Sequence, residues 1–260
     1  MERLALDQGH LRSMILDGSA LWRHLELVSR TGSTNADLMA GASTDRYPLG
    51  TVLVAEEQFA GRGRLDRSWK APARSGLAVS VLVPSPILME PTLVPLMVGV
   101  AAVRSIRAHG GLSNPERAVL KWPNDVMVGE KKIGGILTHQ IAVRDKKAIV
   151  AGLGLNVSLT NEELPTPTAT SLQLEGASQP ERAVYLAEFL RELENLMLES
   201  DSDALIAEYT SLSSTIGRDV AIELPRSKKH LGKATSIDRT GALVLADGFA
   251  VSAGDVVHLR

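Results

Sequence analysis

Three arginines, Arg62, Arg64 and Arg67, fall within six residues of the segment GRGRLDRSW at 61–69, and glycine separates the first two. A guanidinium is a planar fork of donors suited to phosphate and carboxylate oxygens, and glycine lets the backbone come close to a ligand. Phosphate binding is the chemistry this spacing points to. A solvated basic loop stays open as an alternative, as does an RGG-like nucleic-acid segment, although such tracts usually repeat and this one occurs once. A second segment, Lys121-Trp122-Pro123-Asn124-Asp125, is followed by KKIGGIL at 131–137. A strand running into Pro-Asn-Asp must turn, which carries a carboxylate and an amide to the mouth of a sheet, unless Asn124 and Asp125 are simply a turn pair. Lys132 then opens an apolar strand in which Gly134 and Gly135 leave room for a ligand or a neighbouring backbone. Its ammonium can reach inward to anionic oxygen; the alternative is a solvent-facing lysine at a strand edge. In the third segment, GLGLNV at 152–157, alternating glycines weaken a strand without folding advantage unless something flat lies against the backbone. Asn156 is then placed to read a base edge through its amide. No helix opens after this GLG, so it is not the dinucleotide fingerprint.

The elements that must hold these segments are legible around them. Ser33 and Thr34 follow Gly32 and precede NADLMAGA, a hydroxyl N-cap ahead of a helix over 35–42. Residues 51–56 and 77–83 are short β-branched apolar runs, read as strands, and the polar, glycine-rich segment between them is a long surface loop. A helix over 91–109 uses its leading proline at the first turn and stops at Gly110-Gly111. Strands return at 118–122, 132–143 and 147–159, the last two joined by a tight turn at Arg144, Asp145 and Lys146. Residues 161–179, rich in Pro, Thr and Ser, are expected to loop over the surface. Pro180 opens a helix whose apolar face includes Val184, Leu186, Ala187, Leu190, Leu193 and Leu196, and a second helix covers 202–209. From Gly217 onward only short strands and turns remain, a compact barrel of about 45 residues that must lean on the main domain because so small a core is marginal alone. Hairpins mixed with helices give an α+β class, a mixed sheet with helices gathered on one side. The chain divides into 1–212 and 213–260.

Composition narrows the chemistry further. Across 260 residues, 28 basic against 30 acidic side chains give a net charge of −2, so any positive field is local and no general affinity for nucleic acid is expected. With no cysteine, disulfides, thiolate catalysis and cysteine-ligated metals are excluded. The N-terminal stretch lacks the apolar core of a signal peptide. The most apolar run, 87–106, is broken by Glu90, Pro91, Pro95 and Arg104, which makes it a buried helix rather than a membrane span. A cytoplasmic protein without a membrane partner is the expectation.

Taken in order, GSTN at 32–35, GRGRLDRSW at 61–69, KWPND at 121–125, KKIGGIL at 131–137 and GLGLNV at 152–157 resemble the motif series of the biotin protein ligases. The resemblance spans roughly 28–160, and 217–260 resembles the family's small SH3-like C-terminal domain. It implies a catalytic domain like that of class II aminoacyl-tRNA synthetases. Ser33, Thr34 and Asn35 match the biotin-contacting segment, joined by Gln58 and by Gly61, Arg62, Gly63 and Arg64 of the loop that closes over biotin. Lys132, Gly135 and Gly152 complete the biotin set the resemblance implies. The adenylate set is Arg64, Arg67, Trp69, Lys121, Asn124, Lys132 and Asn156, with Asn156 reading adenine. Lys132 matches the catalytic lysine, assisted by Arg62 and Arg64, and Asp125 falls near metal and phosphate. One departure stands out: the family usually has glycine where this chain has Asp66, and a carboxylate beside three arginines competes for them.

The implied reaction joins biotin to ATP, releasing pyrophosphate and forming biotinyl-5′-AMP, then passes biotin to a lysine of the carrier domain of an acetyl-CoA, acyl-CoA or pyruvate carboxylase. Mg²⁺ and fixed cations must offset the repulsion of two anions. The loop at 61–69 is expected to be mobile without ligand and to shield the mixed anhydride from water once ordered. Biotin, a compact bicycle with a polar ureido end, suits small residues and hydroxyls, and only nine aromatic residues occur in the chain. A lipoate or octanoate ligase or transferase on the same scaffold is the nearest rival. A biotin-responsive DNA-binding repressor is disfavoured because about 25 residues precede the motifs, too few for a helical DNA-reading module. A non-catalytic biotin sensor and a homodimer through an exposed sheet edge stay open.

Overall fold

The computed structural model describes residues 3–85, 90–144, 146–177, 181–223, 229–252 and 254–259. Its centre is a seven-stranded sheet built from β1 (His24–Val28), β2 (Thr51–Ala55), β3 (Gly76–Pro84), β4 (Ala118–Lys121), β5 (Asp125–Val128), β6 (Lys131–Val143) and β7 (Lys146–Asn156), in the order β1-β2-β3-β7-β6-β5-β4. Only β1 and β2 run parallel; every other neighbouring pair in this sheet is antiparallel, so the sheet is mixed as expected. The β-branched runs became strands within one to three residues of their expected limits. Asp145, at the expected tight turn, lies outside the described residues, as do Pro180 and the first residues of the apolar run at 87–106.

Alternation along the central strands divides the interior in two. Val52, Val54, Val81, Val83, Ile149 and Ala151 face the large core, whereas Leu53, Leu82 and Val150 face a smaller cluster behind the sheet. Four helices pack into the large core: α1 (Gln8–Leu16), α3 (Val94–His109), α4 (Arg182–Glu199) and α5 (Ser202–Leu212). The fifth, α2 (Thr34–Ser43), sets Leu38 and Ala42 on the smaller cluster. Helices therefore lie on both faces and not on one side as expected, because the second face of β2, β3 and β7 is also apolar and needs a cover. Residues 91–109 are long and apolar enough to cross a membrane, yet α3 is mostly buried inside protein, as a core helix should be.

The expected surface loop at 161–179 is a correction. Lys132 N–H donates to Thr168 O at 2.8 Å and Thr170 N–H to Lys132 O at 2.8 Å, so the segment pairs with the start of β6. Ala169, Thr170, Ser171 and Leu172 are buried. Its serine and threonine hydroxyls bond within the protein (Ser171 Oγ to Leu159 O, 2.8 Å), which is how a Pro- and Thr-rich stretch enters an interior without orphaned polar groups.

A second sheet follows α5: β8 (Asp219–Glu223), β9 (Lys229–Ile237), β10 (Leu243–Leu245), β11 (Ala250–Val251) and β12 (Asp255–His258), ordered β11-β10-β9-β8-β12. Val220, Ile222, Ala234, Leu243, Leu245 and Val256 join the same core cluster as the large sheet, so this unit does lean on the first. Trp122 is the wedge between them. It is fully buried, donates its indole N–H to Gly241 O at 3.0 Å, and follows β4 instead of ending it, with a cis peptide to Pro123. Its backbone N–H donates to Thr215 Oγ1 at 3.1 Å, and that hydroxyl lies 3.0 Å from His258 Nε2 on β12.

Candidate active site

One cavity of about 460 Å³ collects nearly all of the residues singled out by their spacing. Its walls are Ser33, Thr34, Asn35, Gln58, Arg62, Gly63, Arg64, Arg67, Trp69, Lys121, Asn124, Asp125, Lys132, Gly135, Gly152 and Asn156, together with residues that spacing did not flag. Gly61 is not in the lining. A Cβ there would stand 2.6 Å from Trp69 O, and Trp69 N–H donates to Gly61 O at 2.8 Å, so Gly61 closes the base of the loop.

At one end the walls are neutral and polar. Ser33 caps α2, which aims the first turn of the helix at the cavity. Thr34 N–H and Oγ1 both donate to Gln58 Oε1, at 2.8 and 3.1 Å. The hydroxyl of Ser80, buried on β3, lies 2.6 Å from Thr34 Oγ1 and donates to Asn35 Oδ1 at 2.6 Å, while Asn35 Nδ2 donates to Leu137 O at 2.9 Å. Each side chain is held by the next. Gly152 is required by this packing, since a Cβ would come within 2.4 Å of Asn35 Oδ1. Ser80 was missed by sequence reasoning, though a lone hydroxyl in the apolar run LAVSVLV was a usable signal.

The flat object expected against the alternating glycines is part of the protein. A Cβ on Gly154 would stand 2.6 Å from Trp69 Cε2, and one on Gly135 would touch both Trp69 and Lys132 at 3.4 Å. The indole of Trp69 thus lies on the glycine strip, and Lys132 Nζ sits 5.9 Å from a Trp69 ring centroid, within cation–π range. Asn156, expected to read a base edge, lines the cavity but commits its amide nitrogen to Thr170 O at 2.9 Å.

The other end is charged. Lys132 Nζ meets Asp125 Oδ1 at 2.5 Å, so the lysine expected to reach inward does so, already paired with a carboxylate. The loop at 61–69 folds back on itself through an Arg62–Ser68 bridge and Gly63 N–H to Arg67 O at 2.7 Å, and Leu65 at its tip adopts φ of 53°. A positive φ is rare for leucine, which marks a tightly specified turn. Arg64 Nη1 donates to Asn124 Oδ1 at 3.4 Å, and Asn124 is fixed by Nδ2 to Ile136 O at 2.9 Å. Burial pushes the Arg64 pKa down, Asp255 and Asp125 oppose that, and Arg67 adds to it. Arg67 pairs with Asp255 of β12, so the second sheet closes the mouth, with Glu223 and Val257 beside it. Nothing in the sequence pointed to Asp255, Glu223 or to Pro165, Thr166 and Thr168, which line the same cavity. The side chain of Asp66 lies outside the described residues.

Among the described residues no three His, Asp or Glu side chains stand together as a metal cage. A cation with Mg²⁺ chemistry needs only one or two carboxylates when phosphates complete its shell, and Asp125 is such a carboxylate on the cavity wall. Chemically, the cavity joins a neutral hydrogen-bonding end to a cationic end, an arrangement for bringing a polar acid and a phosphate together.

Comparison with known proteins agrees with this geometry. The chain is 40% identical to the biotin–acetyl-CoA-carboxylase ligase of Mycobacterium tuberculosis, over 99% of this chain and 97% of the relative. It is 28% identical to the bifunctional ligase/repressor BirA of Bacillus spizizenii, over 85% of this chain and 67% of the relative. The solved structure of the biotin protein ligase from Aquifex aeolicus, in complex with biotin and ATP, superposes with a TM-score of 0.73 at 25% identity, covering 92% of this chain and all of that one. Residues 27–156, which include the motifs at 32–35, 61–69, 121–125, 131–137 and nearly all of 152–157, match the model of the biotin/lipoate A/B protein ligases, and the chain belongs to that family.

Proposed function

We propose that this chain is an ATP-dependent biotin protein ligase. The observation that carries the reading is the single cavity whose neutral end, Thr34, Asn35, Gln58 and Ser80, is continuous with a cationic end made by Arg62, Arg64, Arg67 and Lys132. Interlocked hydroxyls and amides suit an uncharged ureido head, and the cations suit its carboxylate and the nucleotide phosphates. The biotin carboxylate oxygen attacks the α-phosphorus of ATP; the bond to the β-phosphate oxygen breaks, and biotinyl-5′-AMP and pyrophosphate result. A neutral lysine amine of a carboxylase carrier domain then attacks the acyl carbon, AMP leaves, and one proton is released. Lys132 and Arg64 hold charge where it develops, with little reorganisation because Asp125 and Asn124 have already placed them. Mg²⁺, held by Asp125 and the phosphates, supplies further positive charge when bound. Asn156, Lys121 and Trp69 border the nucleotide's share of the cavity.

The finer architecture belongs to the same reading. The division into 1–212 and 213–260 and an SH3-like second unit are supported by the end of α5 at Leu212 and by the five antiparallel strands that follow it, and a class II synthetase-like catalytic domain by the largely antiparallel seven-stranded sheet. The even charge balance supports a protein that binds no DNA. The test is pyrophosphate release by the purified chain with ATP and Mg²⁺ and either biotin, lipoate or octanoate. Biotin-dependent release is expected. Release with lipoate or octanoate and none with biotin would overturn the reading in favour of the other branch of the family.

A further inference from the structure

We propose that Asp255 is the internal counter-ion of the loop at 61–69, a positioning residue that holds Arg67 while the site is empty and that nucleotide phosphate must displace. The proposal rests on the reading that this loop binds ATP. Arg67 and Asp255 pair across the cavity mouth, joining a loop of the first unit to a strand of the second, 188 positions apart. The two partners are unequally anchored. Asp255 opens β12 in register with Glu223 of β8, and its side chain is 22% exposed, whereas Arg67 sits on the loop with its side chain 66% exposed. When the pair breaks, the arginine is the partner that moves.

A carboxylate offers a guanidinium two anionic oxygens in much the geometry of a phosphate. Asp255 therefore occupies donors that a triphosphate needs, and its charge also repels that triphosphate at the mouth. In the empty site it does the reverse service. Arg62, Arg64 and Arg67 stand within six residues, and a nearby carboxylate offsets their mutual repulsion and keeps the loop folded toward the cavity. Nucleotide binding is then an exchange of anions on Arg67. The biotin end, lined by Thr34, Asn35 and Ser80, lies outside that exchange.

The experiment compares the native chain with Asp255→Asn, which keeps size and the backbone pairing of β12. Calorimetry with a non-hydrolysable α,β-methylene ATP analogue and, separately, with biotin gives the two affinities. Limited trypsin digestion without ligands reads cleavage after Arg62, Arg64 and Arg67. For a partly exposed ion pair the expected gain in analogue affinity is about 2- to 5-fold, with biotin affinity unchanged and the KM for ATP falling while that for biotin stays. Cleavage of the ligand-free loop becomes faster in the variant, and the two chains become equally resistant with both ligands bound. Analogue affinity unchanged or weakened, or an unaltered cleavage rate, would overturn the proposal alone. A native chain that binds biotin and no nucleotide would overturn the ATP-ligase reading and this proposal with it.

Discussion

Lys132 is held from three sides: Asp125 takes its charge, the Trp69 indole lies beside its ammonium, and its own backbone is pinned by Thr168 and Thr170. Preorganised charge of this kind typically accounts for 10²-fold or more in rate. Lys132→Ala should therefore slow formation of the acyl-adenylate by about 10²-fold or more in single-turnover measurements, and undiminished formation would remove its assigned role. Gly152 makes a second residue-scale prediction. Any side chain there collides with Asn35, so Gly152→Ala should weaken biotin binding about tenfold or more by calorimetry, roughly 1.4 kcal/mol, while the nucleotide affinity holds. Equal biotin affinity in the variant would mean that Asn35 is not tied to the ligand. At this scale the sequence was most informative where spacing forced a choice: clustered arginines, a lysine opening a glycine-bearing strand, alternating glycines. It was silent on Asp255, an ordinary acid at the start of a short terminal strand whose role arises only from where the second sheet docks.

Elements were legible in proportion to how much apolar surface they bury. The β-branched runs that became β2, β3 and β7 are buried over most of their length, and α3 and α4 carry continuous apolar faces. By contrast α1, with only Leu11 and Ile15 buried, and β1, an edge strand with a single buried residue, leave too little periodicity to recognise. The four-residue β5 starts at Asp125, the last residue of the segment read as a turn, and is too short to recognise. The placement of α2 on the second face was also out of reach, since alternation reveals that a strand has two apolar faces only after its neighbours are known. Tyr209 on α5 gives this scale its own test. Among the described residues its buried hydroxyl has no hydrogen-bond partner, and burial pushes its pKa well above the ordinary tyrosine value. An unpaired buried hydroxyl costs on the order of 1–3 kcal/mol, so Tyr209→Phe should leave activity intact and raise the urea midpoint; a lower midpoint would show that the hydroxyl is satisfied in solution.

Across the whole molecule, the chain Trp122 N–H to Thr215 hydroxyl to His258 imidazole fastens the second sheet to the first and so fixes where Asp255 meets the loop. Burial is the main cause that holds His258 down to about 4, with Lys121 and Arg218 adding to it against Glu130. A histidine that titrates at about 4 in the fold, against 6.5 when unfolded, binds fewer protons folded than unfolded between those values. Its contribution is present above pH 6.5 and is lost as pH falls toward 4. Because the ring is only half-buried, that contribution is of order 1 kcal/mol after solvent screening. His258→Gln, which keeps an acceptor for Thr215 and does not titrate, should flatten the fall in urea stability between pH 7 and pH 5; an identical slope would place the pH dependence elsewhere. The account as a whole is tested most directly by mass spectrometry of a biotin carboxyl carrier domain incubated with the chain, biotin, ATP and Mg²⁺. One biotinyl group on one lysine, absent without ATP and greatly reduced with Lys132→Ala, is the predicted result, and a carrier domain that stays unmodified under those conditions would contradict it.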